Sequence, residues 1–135
     1  MEAELPYQKP SEALAKLVDQ PKLPGARVSP DYRWACFLSR NSVESIRDLA
    51  GPELKLAGVR FNPERFAPSR SSWTYDSITW HDLETGKETL IEGLPEGKIH
   101  VPTWASDSGS LVFAIEQGDG LRLWCARPGE PSARQ

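Results

Sequence analysis

"RVSPDYRWACFL", Arg27 to Leu38, and "TWASDSGSLVFAI", Thr103 to Ile115, are the two stretches on which the fold turns. In each, an aspartate (Asp31, Asp107) follows a small or polar pair, and a phenylalanine (Phe37, Phe113) stands six residues later inside an apolar run. The aspartates are 76 residues apart, and the 32 residues from Asn41 to Ser72 lack strand alternation, so the repeated texture has a period of 44. That period falls within the roughly 40–45 residues of a four-stranded propeller blade. Blades pack face to face on their neighbours, so each first hairpin needs the same turn and, on this reading, the same inward aromatic.

Working outward, the first repeat predicts strands near 26–29, 34–40, 73–83 and 88–94, with Thr85-Gly86 as a tight turn. Within the second of these, Trp34, Cys36 and Leu38 share one face, and Ala35 and Phe37 the other. The second repeat predicts strands near 100–105, 110–116 and 121–126, divided by turns at Asp107–Gly109 and Gly118–Gly120. After Pro128-Gly129-Glu130 only "PSARQ" follows, so the fourth strand is expected to be missing and the strand 121–126 to keep an open edge.

Two regions read differently. Ser11 is an N-cap for a helix with the apolar stripe Ala13, Leu14, Leu17 and Val18, which Pro21 prevents from continuing beyond about Asp19. In the excursion, Asn41 and Glu44 have capping-box spacing, and Val43, Ile46, Leu49 and Ala50 are helix-spaced. A restart of the helix at Pro52 and a loop over 62–72 complete that reading. The chain is therefore expected to be mainly β: a partial β-propeller of about one and three-quarter antiparallel blades with two short helical elements. Its parts are a lead-in over 1–24, a first blade over 25–97 with an insertion at 41–72, and a truncated second blade over 98–135. Shortening "NPERFAPS" in the insertion is expected to leave the β content unchanged, because surface loops close at small entropic cost.

Composition narrows the function. A length of 135 residues suits one domain, and the net charge of −3 supplies no field that would gather nucleic acid. No apolar run reaches the roughly 18 residues of a membrane span, and "MEAELPYQKP" lacks the composition of a secretory or transit peptide. A soluble, cytoplasmic chain without nucleic-acid or membrane partners is expected, with Cys36 and Cys125 as buried thiols in a reducing compartment and a disulfide between them as the alternative.

The chemical motifs resolve to structural ones. Ser108 and Ser110 flank Gly109 with the wrong spacing for a nucleophile elbow. His81 and Asp82, adjacent on a strand, point to opposite faces, which favours an exposed polar pair over part of a triad. His81 and His100 have no metal-ligand spacing to Cys or carboxylates. "TGKET" lacks the first glycine of a phosphate loop, and Glu88 replaces its hydroxyl. Trp34, Trp73, Trp80, Trp104 and Trp124 fall at strand-spaced positions that favour core and interface packing over stacking on bases or sugars. Arg60, Arg65 and Arg70 read as solvated loop residues, with a partner domain or a substrate carboxylate as the alternative. No catalytic, cofactor-binding or metal-binding residue is assigned.

The phrases "YQKPSEALAKLVDQP", "VSPD", "GPELKLAGVRFNP" followed by "SRSSWTYDSI", and "EGLPEGKIHVPTWASD" resemble the start of the non-catalytic propeller of the prolyl oligopeptidase family, over residues 6 to 127. The branch they resemble most is the glutamyl endopeptidase type, with its dipeptidyl aminopeptidase- and acylaminoacyl peptidase-like members. Tyr32 and Asp76 stand where that pattern carries glycine, and "ASDSG" replaces Ser-Pro-Asp-Gly. The resemblance implies a gating segment over an α/β-hydrolase domain whose Ser-Asp-His triad lies outside this sequence, no cofactor, and a plastid stroma as a second candidate compartment. It also implies partners: a hydrolase domain or further blades, and peptide substrate in the parent enzyme; self-association is expected from the open edge itself. A stand-alone interaction module is the competing class.

Overall fold

A computed structural model describes residues 9–20, 22–40, 46–69 and 73–135. Helix α1, Glu12–Val18, starts at Ser11, whose hydroxyl accepts from the Leu14 amide, and ends at Asp19. Its stripe is formed but uncovered: Leu14, Leu17 and Val18 are all exposed. Asn41, Val43 and Glu44 lie outside the described residues, as do Pro21 and Arg70. The excursion keeps one helical turn, α2, Ile46–Leu49.

Twelve strands form three antiparallel sheets among the described residues. Sheet 1 has the order β1 (Gly25–Val28), β2 (Trp34–Ser39), β7 (Ser77–Asp82), β8 (Glu88–Leu90). In sheet 2 the order is β12 (Ala133–Arg134), β11 (Gly120–Ala126), β10 (Leu111–Gln117), β9 (Lys98–Trp104), β6 (Thr74–Tyr75). The excursion builds the third: β3 (Leu54–Leu56), β4 (Val59–Asn62) and β5 (Ala67–Pro68).

Four expectations change. Pro52 restarts no helix: "LKLAGVRFN" is a hairpin, with Ala57 and Gly58 at positive φ as its two-residue turn. Residues 62–68 are not a simple loop, because Asn62 caps a turn through the Glu64 and Arg65 amides and Ala67 pairs with Asn62. Both are buried, so shortening "NPERFAPS" removes a sheet strand. The run 73–83 is two strands, and the chain changes sheets at Asp76, whose amide donates to the Ser39 carbonyl. Finally, β11 does have a partner, since Arg134 and Ala133 of the tail pair with Cys125 and Ala126. Two residues are enough to pair, but too few to show alternation.

The repeated phrase is a repeated turn. The Ser29 amide donates to the Trp34 carbonyl and the Tyr32 amide to the Ser29 carbonyl; 76 positions on, Ala105 does so to Ser110 and Ser108 to Ala105. Tyr32 and Ser108 both adopt φ +59°, a left-handed position that explains why glycine is the usual occupant. The turns touch each other through the Asp31 amide, which donates to the Ser108 hydroxyl at 3.0 Å.

Sheets 1 and 2 share one core. Cys36, Leu38, Ile78 and Trp80 of sheet 1 meet Ile99, Leu111, Phe113 and Ile115 of sheet 2, all at most 2% exposed. Trp80 is the centre: its ring lies 5.4 Å from that of Trp104, and its indole N–H donates to the Glu130 carbonyl at 3.0 Å. Gly129, at φ +75°, lies so close to Trp34 that a Cβ would stand 2.7 Å from the ring. That position therefore excludes any side chain.

The packing is head to tail. Phe37 and Phe113 are equivalent by the repeat, yet Phe113 faces sheet 1, whereas Phe37 lies on the far side of sheet 1, half-buried against the His81 ring at 4.2 Å. The expectation that both aromatics point inward is thus corrected. Equivalent residues point the same way in space, so the second sheet stacks on the first as a translated copy rather than as its mirror image.

Candidate functional site

Where sheet 2 meets the excursion, two adjacent strands and a loop bring three charged or titratable side chains together. His100 on β9 and Glu116 on β10 face the side of sheet 2 away from the core, and both are buried. His100 Nε2 lies 2.9 Å from Glu116 Oε2, and Arg65 Nη1 donates to Glu116 Oε1 at 3.2 Å. The bond to His100, then that to Arg65, holds the Glu116 carboxyl below the usual carboxylate range, against the opposing effect of burial. Arg65 comes from the turn between β4 and β5, so the cluster clasps the third sheet to the second.

Two clefts flank this cluster. One of about 450 Å³ is lined by Glu64, Arg65, Glu96, Lys98 and Glu116; another of about 300 Å³ holds Arg27, Trp73, Tyr75 and His100. Val101 beside the second has φ +47°, at a bulge where Val101 and Pro102 oppose Phe113 alone. A carboxylate held by two donors is a fixed anion rather than a free base, so the chemistry legible here is electrostatic docking.

The residues weighed from sequence go elsewhere. Ser108 is buried and accepts from Asp31. His81 is half-buried rather than exposed, its ring tilted 54° against that of Phe37 and its Nδ1 3.5 Å from Glu88, while Asp82 is buried on the opposite face. The Asp82 carboxylate accepts from the Thr85 and Glu84 amides, so "TGKET" closes a hairpin; these bonds keep Asp82 below its ordinary pKa. Asp31 is lowered likewise, first by the Ser29 hydroxyl and then by the Arg33 amide. Arg60 pairs with Glu53 at 2.9 Å, and Arg65 with Glu116, so both contact carboxylates of this chain rather than solvent alone. Four tryptophans pack on or in the core, whereas Trp73 is exposed beneath the Arg40 guanidinium at 5.3 Å. Cys36 is fully buried, which pushes its thiol up to about 11, but Cys125 is exposed. No cluster of three His, Cys, Asp or Glu suited to a metal occurs among the described residues, and no described helix is long and apolar enough to cross a membrane. Glu116 was missed in the sequence; its signal is a lone carboxylate inside the apolar strand "LVFAIEQ".

The class these features define is an all-antiparallel β assembly with a repeated, head-to-tail sheet unit. Comparison with known proteins adds a particular likeness. The chain is 36% identical over 139 residues, 95% of its length, to a protein of Oryza sativa subsp. japonica named probable glutamyl endopeptidase, chloroplastic. It is 36% identical over 130 residues, 89% of its length, to the Arabidopsis thaliana protein of the same name. The chain spans only 15% and 13% of those relatives, whose names are those of peptidases. No family model and no solved structure matches it.

Proposed function

We propose that the chain is a non-catalytic, propeller-type segment of a serine peptidase of the prolyl oligopeptidase family, acting in the parent enzyme as a gate and substrate-size filter over a hydrolase domain. The observation that carries the peptidase reading is the likeness to glutamyl endopeptidases along almost the whole chain. The propeller reading draws support from the repeated turns and from sheets stacked with equivalent faces in the same direction. A second reading, a stand-alone interaction module, is favoured by the single shared core and by β12, which covers part of the β11 edge.

The purified chain is expected neither to hydrolyse Glu-containing peptides nor to react with a fluorophosphonate probe for activated serines. Stoichiometric labelling of any serine, read by intact-mass spectrometry, would overturn the non-catalytic reading.

A further inference from the structure

Among the described residues, head-to-tail stacking leaves two different faces uncovered, and each matches one half of an interface the chain already makes. The repeat relates Cys36 to Val112 and Leu38 to Ala114, and the strand registers then relate Ile78 to Leu123 and Trp80 to Cys125. So the outer face of sheet 2 (Val112, Leu123, Cys125) is the counterpart of the sheet 1 face that receives Phe113. On the other side, Phe37 of sheet 1 is the counterpart of Phe113, and it is ringed by Val28 and Leu90, which are 49% and 48% exposed. Leu123 is 70% exposed and Val112 39%. Apolar side chains thus stand in water on two faces whose equivalents are dry inside the same molecule.

We infer that these faces join one copy of the chain to a second copy, with the Phe37 face of one seated on the Leu123 face of the next. The contact is heterologous: a face meets its complement rather than itself, so every added copy presents another free face and association continues until it closes or becomes sterically blocked. The third sheet, held over the Glu116 end of sheet 2, leaves the Val112–Leu123–Cys125 end open for the incoming copy. The inference rests on the repeat within the fold and not on the peptidase reading; serine labelling and association therefore fail separately.

The test uses two variants of the full chain. Val28→Asp/Leu90→Asp charges the first face and Leu123→Asp the second, at exposed positions where folding tolerates a polar side chain. In light scattering behind size exclusion, the parent chain is expected to gain mass with concentration beyond a dimer. Each variant alone is expected to be a monomer, and an equimolar mixture to form a 1:1 dimer and stop. Circular dichroism checks each fold, with Val112→Lys replacing Leu123→Asp should the latter lose its β signal. A parent chain monomeric at every concentration overturns the inference. So does association that neither variant stops, which assigns the contact to strand edges, or a variant that dimerises alone, which assigns it to a self-complementary face.

Discussion

Trp80→Ala is expected to cost about 3–5 kcal/mol. Trp80 is fully buried, touches Trp104 across the two sheets, and donates its N–H to the Glu130 carbonyl in the returning tail. Its removal leaves a cavity where sheet 1, sheet 2 and the segment before β12 meet. A chain of this size has roughly 5–15 kcal/mol of stability in all, so the variant should lose from about a fifth to all of the parent's, and its chemical-denaturation midpoint should fall steeply. Trp80→Phe separates the causes: it keeps most of the packing and loses the hydrogen bond, for a loss of about 1–2 kcal/mol. Equal losses in the two variants would show that the indole N–H, and not the shared core, is what matters.

Glu116→Gln is expected to cost about 2–3 kcal/mol at neutral pH, less than a fully enclosed ion pair because Arg65 reaches water. The penalty depends on pH in a direction fixed by the lowered folded-state pKa. The charged carboxylate contributes its full stabilisation above the ordinary glutamate value of 4.5, and that contribution is lost as pH falls through the lower folded value. The stability gap between parent and variant should therefore be widest near neutrality and close progressively below about pH 4.5. The groups that set it are His100, Arg65 and Lys98 in favour of the anion, with burial opposing it. A gap that does not change from neutral to acid pH would mean that Glu116 is held for its shape rather than its charge.

How much of this was legible in the sequence depends on the range of the interaction. Strands of sheet 1 and the hairpin of β10 and β11 were readable because period-2 alternation and turn residues are local signals. So was the repeat, since the turn at Asp31 and the turn at Asp107 need the same backbone path and hence similar residues. The excursion misled although Leu54 and Leu56 pair with Phe61 and Val59 and so put four apolar side chains on one face of the hairpin, because Pro52 just ahead of them reads equally as the start of a helix. β12 was invisible for a different reason: its two residues owe their conformation entirely to β11. The His100–Glu116–Arg65 cluster was beyond reach as a unit, because Arg65 lies 51 positions from Glu116 and only the docking of the third sheet joins them. The direction in which Phe37 points was likewise decided by which neighbour sheet 1 has, a fact that alternation does not encode.

That direction is the centre of the account, and the two cysteines measure it. By the repeat, Cys36 and Cys125 lie on equivalent faces of their sheets; head-to-tail stacking buries the first against sheet 2 and leaves the second open. A mirror-image sandwich would treat the two thiols alike. In the Val28→Asp/Leu90→Asp variant, diluted so that no second copy covers Cys125, titration with 5,5′-dithiobis(2-nitrobenzoic acid) should release one equivalent of thiolate at once. The second should come only on denaturation, from the Cys36 thiol, which burial holds protonated. Two equivalents released together from the native chain, or none until it unfolds, would contradict the stacking on which the rest depends.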